Sequence, residues 1–493
     1  MSLVSGRREI ALAWLLLGLT SCSGAEPAAP LAGANVVLIV VDTLRADHLG
    51  CYGYDRETSP FLDSMAEEGV LFEHAMSNSS FTRESVSSLF TGRLPSRSGS
   101  FGWFAAPARD TQPLGQRFAR AGYRTGFFST TVMLKDPRYF EGFAQVDHMT
   151  EDANWTASQN SAELSERALR FVREGGKQPF MLYLHYLDPH APYDPPADLC
   201  ARFEALPPAE RVALYSQLRG HLPQYVAEGF GPKERRYEDM IRRYDAEIAD
   251  VDRGIAALCD GLQSLGVLDD TLVVVTADHG EEFLEHGFVE HAWTLYRESL
   301  HVPLIFWTKT ALEPGRVPDT VSLVDVLPSL VEMVGLEPME SFVDGKPLFV
   351  DTGRSLRAEP PDGPRVSEVL IQHRNVARTV VAGDWKLVQA QRWLSPAERS
   401  AISRDEPAYS GKFAEVPFDP FGAVVLEELF NLREDPTESR NLLSQRPREA
   451  EQLREMLSVY QEIATPRSGT APAAEQSAAD WEKMKALGYA GDQ

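Results

Sequence analysis

The chain has 493 residues, 43% of them hydrophobic and 24% charged, which fits two packed units or one large α/β domain with an appendage and excludes wholesale disorder. Its 72 acidic residues outnumber 48 Lys and Arg, leaving a formal charge of -24. A surface of that sign argues against nucleic acid as a partner, because phosphate binding needs clustered Lys and Arg. It also disfavours electrostatic docking on anionic lipid.

The first residues read as an address and not as fold. Arg7 and Arg8 precede a short apolar run, Ile10 to Leu19, too short to span a bilayer as a mature helix. Leu19-Thr20-Ser21-Cys22 follows, as expected of an export signal ending at a cut site. With cysteine at the first mature position, the segment resembles the lipobox of bacterial lipoproteins. That resemblance implies an exported protein, lipid-anchored in a bacterial cell envelope, whose membrane contact is the N-terminal lipid alone. Residues 1–22 are then the signal and residues 23–34 a tether. The remaining Cys51, Cys200 and Cys259 form neither a disulfide framework nor a Cys-x-x-Cys pair. One disulfide and three separate thiols both stay open.

Continuous apolar runs at Asn35 to Val41, Phe180 to His185, Leu272 to Thr276 and Val302 to Trp307 predict strands buried on both faces. Helical patterns lie between them, at Pro60 to Gly69, Leu114 to Ala121, Ala162 to Arg173, Glu234 to Leu265 and Leu323 to Val334. The alternation predicts an α/β fold with a mostly parallel, mixed central sheet and helices on both faces. In such sheets ligands bind beyond the carboxyl ends of the strands. After about Gly335 the texture changes: the breaker cluster Glu359 to Pro364 precedes shorter strand-like pieces at Val376 to Val381 and Trp385 to Val388, then a helix over Pro447 to Ile463. The expected division is a catalytic domain over 35–340, a smaller α+β subdomain over 341–465, and a linker with a terminal helix over 466–493.

Two of the predicted strands end in acids, at Asp42 and Asp278. A carboxylate at a buried strand end is costly unless it meets a cation. Asp278-His279 opens the stretch DHGEEFLEHGFVEH, which places His279, His286 and His291, three of the chain's 11 histidines, within thirteen residues. His185 and His190, with Asp188 between them, form another His/Asp group at a strand end. Hard carboxylate oxygens and imidazoles converging from strand ends suit a divalent metal.

The segments VVLIVVDTLRADHLGCYGY, FTRESVSSLFTGRLPSRSG, LDPHAPY, TADHGEEFLEHG and ELFNLREDPTESRNL resemble, in order, those of the sulfatase family, over roughly residues 35 to 445. The resemblance implies an alkaline-phosphatase-like fold and hydrolysis of small anionic sulfate or phosphate esters. It also implies metal ligands at Asp42, Asp278 and His279, and a nucleophile at Thr82, nine residues before Thr91 of LFTGR. His190 and His291 match residues that touch a second metal or the substrate in related phosphotransferases. His286 belongs to the same loop and is a weaker candidate ligand, and Arg83 is a candidate clamp for an equatorial oxygen. One or two divalent ions are implied, and the abundance of histidine favours zinc or manganese over calcium.

Several positions depart from the family pattern. Familiar sulfatases carry Cys or Ser at the nucleophile, oxidised to a formylglycine aldehyde, which the methyl-bearing Cβ of Thr82 cannot become. Glu84 and Val86 replace the usual Pro and Arg, Thr43 replaces a second Asp, and GFFSTTVML lacks the Lys and His that grip sulfate. Threonine instead resembles the phosphodiesterase, pyrophosphatase and phosphotransferase branches. A head-group transferase and a non-catalytic metal-binding relative therefore remain as alternatives, and sulfate against phosphate stays open. Arg45 and Asp47 are expected to pair and fix the loop after the first strand, and the DPTE segment at 435–438 to serve packing. The oligomeric state is not read from these patterns.

Overall fold

The computed structural model describes residues 31–463 apart from 101–105, 109–110, 152–155, 157, 206–234, 310, 340–342, 352–355, 372–374, 391–423 and 425. The expected signal, most of the expected tether, and the expected linker with its terminal helix lie outside these residues. Residues 31–34, the end of the expected tether, belong to the folded body: Leu31 is buried and the Gly33 N–H donates to the Val334 carbonyl.

The main sheet has nine strands: β1 (Asn35–Val41), β2 (Val70–Met76), β3 (Arg124–Ser129), β4 (Gln145–His148), β5 (Phe180–Tyr186), β6 (Thr271–Ala277), and, after the short ribbon β7 (Glu282–Phe283) and β8 (Val289–Glu290), β9 (His301–Val302), β10 (Leu304–Trp307) and β11 (Gly315–Ser322). Its order is β11-β2-β10-β6-β1-β5-β3-β4, with β9 beside β2. The run from β6 to β4 is parallel, and β10 enters antiparallel between β6 and β2. The sheet is thus mixed and mostly parallel, as the apolar runs predict. Pro303, which cannot donate to a ladder, splits the expected strand over 302–307 into β9 and β10.

Helices cover both faces. Pro60–Glu68, Ser161–Glu174 and Arg235–Ser264 pack together, and Thr82–Thr91 packs with Leu114–Arg120 and Val326–Met333. Their apolar faces close one large core around strands β1, β5 and β6, every residue of which but Asn35 is buried.

Beyond a two-stranded ribbon, β12 (Phe349–Asp351) with β13 (Leu356–Ala358), comes an antiparallel sheet of β14 (Arg365–Ile371), β15 (Asn375–Ala382), β16 (Trp385–Ala390) and β17 (Leu426–Asn431). Helix Pro447–Ile463 packs on β15 and β16. This sheet is tied to the loop after β2. The Ser367 hydroxyl donates to the Ser77 carbonyl at 2.6 Å, the Glu368 N–H to the Asn78 carbonyl at 2.8 Å, and the Asn78 amide to the Val366 carbonyl at 2.9 Å. Cys51, Cys200 and Cys259 are free thiols. No helix among the described residues is long and apolar enough to cross a membrane.

Candidate active site at the strand ends

Register brings the acids together. Val41, the last residue of β1, lies opposite Ala277 of β6 and Tyr186 of β5, so Asp42 and Asp278 leave adjacent strands at the same level. Both are fully buried. The turn after Asp42 needs an unusual backbone at Thr43, with φ of 56°, and the loop after His279 needs a glycine, because a Cβ at Gly280 would stand 2.0 Å from the Glu298 carbonyl oxygen.

Each carboxylate has one oxygen engaged and one left over. Asp278 Oδ1 accepts the Thr43 N–H at 3.3 Å and the His279 N–H at 2.9 Å, while Oδ2 has no hydrogen-bond partner. Asp42 Oδ2 lies 3.2 Å from His185 Nε2, while Oδ1 has no partner. Burial, and then the charge of Asp278, push the Asp42 carboxyl well above its usual range. His279 Nε2 faces both orphaned oxygens, at 3.8 Å from Asp42 and 3.5 Å from Asp278. Its Nδ1 lies 3.0 Å from the Gly280 carbonyl, an acceptor, so Nδ1 carries the hydrogen and Nε2 presents a lone pair. Two buried carboxylate oxygens without hydrogen-bond partners, each within 4 Å of the same imidazole lone pair, are the donor types a divalent cation takes.

Thr82 completes the cluster. Its Oγ1 lies 3.1 Å from His279 Nε2, at the first position of helix Thr82–Thr91, every residue of which is buried. Gly92, at φ of 66°, ends that helix in the left-handed conformation. One turn after Thr82, the Ser85 hydroxyl donates to the Asp278 carbonyl at 2.6 Å, and Ser77 donates to the same carbonyl, tying the helix start to the β6 end. Free N–H groups at a helix start favour negative charge on an atom placed there. Arg83 is buried, and its carbonyl accepts the Tyr139 hydroxyl at 2.9 Å. Burial opposes ionisation of Asp136, yet bonds from Arg138, and then the charges of Arg138 and Arg83, hold its carboxyl below the ordinary value.

The other histidines separate into two groups. His291 lies beside His279, tilted 32° with ring centroids 4.4 Å apart, and His190 meets His291 edge-on at 4.9 Å, so the three rings form a row that starts beside Thr82. His291 Nδ1 bonds Glu281 at 2.9 Å, and the Tyr193 hydroxyl donates to the other Glu281 oxygen at 3.0 Å. His190 Nδ1 bonds the Ala191 carbonyl at 2.6 Å. His286 is not brought to this row. Its Nδ1 bonds Glu298 at 2.7 Å, its Nε2 faces the Glu438 carbonyl at 3.1 Å, and its ring stacks on Tyr296 at 3.8 Å, so both nitrogens are committed. His185, grouped in the sequence with His190, stands beside the carboxylates instead. Asp42, His185 and Asp278 are the described residues whose ligand-capable atoms all lie within 4.8 Å of one another. The signal for it was its place one residue before the end of β5, at the level of Val40. Arg45 and Asp47 pair in a fork at 2.9 and 2.8 Å behind the first strand.

A buried carboxylate pair, a helix-start hydroxyl and a row of imidazoles meet at the carboxyl ends of a mixed sheet of the alkaline-phosphatase-like kind, where such sheets bind their ligands. The sequence model of the sulfatase family matches residues 34–336, and the chain belongs to that family. It is an ester hydrolase. Over 425 residues it is 22% identical to an N-acetylglucosamine-6-O-sulfatase of Bacteroides thetaiotaomicron, covering 69% of this chain and 76% of the relative. A structure solved in complex with its substrate D-glucosamine-2-N,6-O-disulfate superposes with a TM-score of 0.65 at 18% identity, covering 87% of this chain and 98% of that one. The phosphonate monoester hydrolase of Agrobacterium radiobacter superposes with a TM-score of 0.64 at 18% identity, covering 88% and 96%.

Proposed function

We propose that the chain is a metal-dependent hydrolase of sulfate or phosphate mono- and diesters that works through a covalent ester on Thr82. The observation that carries this reading is Thr82 Oγ1 at 3.1 Å from His279 Nε2, beside the partnerless oxygens of Asp42 and Asp278. Asp42, Asp278 and His279 would hold the cation, and the imidazole in that set favours zinc or manganese over calcium. A divalent ion bound there supplies Lewis acidity and lowers the pKa of an oxygen it touches.

Thr82 Oγ1 is directed at the incoming sulfur or phosphorus by the buried helix behind it. With its hydroxyl proton released to solvent, Thr82 Oγ1 bonds to the sulfur or phosphorus as the bond to the leaving alcohol oxygen breaks. The equatorial oxygens gather charge against the helix-start N–H groups, with Arg83 as a donor fork close by. His291, backed through Nδ1 by Glu281, can carry a proton at Nε2 and pass it to the leaving oxygen, with His190 steadying the same oxygen. Water then cleaves the Thr82 ester and restores the hydroxyl.

Matched aryl sulfate and aryl phosphate mono- and diesters, assayed before and after chelation, test the scheme. Turnover should vanish with the chelator, return with zinc or manganese, and fall by at least about 1,000-fold in Thr82→Ala. A sulfo or phospho adduct trapped on the Thr82 peptide is the expected intermediate; undiminished turnover by Thr82→Ala would remove the nucleophile from the scheme. Export and lipid anchoring at Cys22 belong to the same reading, supported by the ordered basic, apolar and small-residue parts of the N-terminus. Cys22→Ser should shift the protein from the membrane to the soluble fraction, and an unchanged distribution would refute the anchor.

A further inference from the structure

Strand β5 sets two buried polar side chains behind Asp42 that the reaction itself does not use. Tyr183 and His185 are two residues apart and so share a face of the strand, and both are fully buried. The Tyr183 hydroxyl lies 2.7 Å from His185 Nδ1, and His185 Nε2 lies 3.2 Å from Asp42 Oδ2. Among the described residues, that imidazole nitrogen is the one hydrogen-bond partner of the phenol.

We propose that Tyr183 and His185 form a donor chain that positions Asp42 for a cation, with His185 standing behind the carboxylate and not among the ligands. The inference rests on the reading that the cation sits on Asp42, Asp278 and His279. A phenol buried in the core must give its hydrogen to an acceptor, and His185 Nδ1 is the acceptor available. A neutral imidazole accepting at Nδ1 carries its hydrogen at Nε2, which then donates to Asp42 Oδ2. The reverse arrangement would strand the phenol hydrogen and set the Nε2 lone pair against a carboxylate lone pair. Distance alone would admit His185 as a ligand, since it shares the cluster with Asp42 and Asp278. A hydrogen at Nε2 removes the lone pair that a ligand needs.

The consequence is a division of labour within one carboxylate. Oδ2 is fixed from behind, so Oδ1, the oxygen on the His279 side, is presented to the cation in a single orientation. Fixing the ligand before the ion arrives lowers the ordering cost of binding.

The test uses the whole chain, stripped and reloaded with zinc for affinity, or with cobalt(II) for its absorption spectrum. Wild-type protein should take up zinc, and failure of that arm alone would overturn the cation assignment itself. In Tyr183→Phe, zinc affinity should fall about 10- to 100-fold with unchanged stoichiometry and an unchanged cobalt spectrum. In His185→Gln, whose amide N–H can still reach the carboxylate, the spectrum should also persist, with a smaller affinity loss than in His185→Ala. A lost ion or an altered spectrum in His185→Gln would make His185 a ligand and overturn the positioning role. Unchanged affinity in Tyr183→Phe would break the chain at its first link. Independently of any metal, 15N shifts of His185 in the stripped protein should report the Nε2-protonated tautomer, and an Nδ1-protonated ring would refute the proposal.

Discussion

Two buried charge clusters in this molecule are built on opposite plans. In the C-terminal sheet, Lys386 and Glu438 are almost fully buried, and the ammonium donates to both carboxylate oxygens at 2.7 and 2.8 Å. At the end of the main sheet, Asp42 and Asp278 are just as deeply buried, yet among the described residues no lysine or arginine pairs with either, and each keeps one oxygen without a partner. Charge neutralised by the chain's own cation serves the fold. Carboxylates left without a cation of the chain's own are what the proposed ion would meet.

Substitutions should separate the two plans. The largest effect is expected at the open cluster: Asp278→Asn should lower turnover by at least about 1,000-fold. It should also abolish the gain in thermal stability on adding zinc, a gain of about 2.7 kcal/mol at a hundredfold excess over Kd in a wild-type protein that binds the ion. With chelator present, the same variant should be no less stable than wild type, because a like-charge contact has been removed. A stripped variant that melted well below wild type would erase the contrast.

At the closed cluster the expected order reverses. Lys386→Met leaves Glu438 buried without its cation and should cost about 3–5 kcal/mol in urea unfolding, with the folded fraction still active. Restoring an apolar match with Lys386→Met and Glu438→Leu together should recover most of that loss. Recovery would show that the pair fills space as much as it attracts.

The smallest effect concerns His286. Burial disfavours its charge, but the bond and charge of Glu298 and the nearby Glu438 raise its pKa from 6.5 to about 9. A raised folded-state value means that its contribution is complete below about pH 6.5 and is lost as pH rises through about 9. Its partial exposure screens the effect to about 1 kcal/mol. Unfolding free energy measured from pH 6 to 10 should show that decline, and His286→Gln should flatten it.

Much of the main sheet was legible because strands covered on both faces read as unbroken apolar runs: Asn35–Val41 emerges with its predicted bounds. The 30-residue helix Arg235–Ser264 and the helix Pro447–Ile463 were legible through their amphipathic period. Strand β11 was not, since Gly315, Pro318 and Asp319 read as breakers; an edge position with an irregular register between Val317 and Thr320 tolerates them. The helix at Thr82 carries no amphipathic stripe because every face is buried, so only its motif, and not its periodicity, drew attention to it. In the site, acids at strand ends were visible as unusual chemistry, whereas His286 and His291 look alike in a loop of mixed polarity. What separates them is the partner each meets, Glu298 and Glu438 for one and Glu281 for the other, and one of those partners lies far along the chain.

That distance has a consequence for biosynthesis. The loop that carries His279 and His291 is braced at His286 by a carbonyl 152 positions later, and that residue is itself held by Lys386. A chain that emerges from its N-terminus, whether from a ribosome or from an export channel, can pair its parallel strands long before this brace has been made, so maturation of the loop should be one of the last events in folding. Chains arrested at residue 425 should accordingly show protection of the main sheet from hydrogen exchange, yet remain silent in the ester assay.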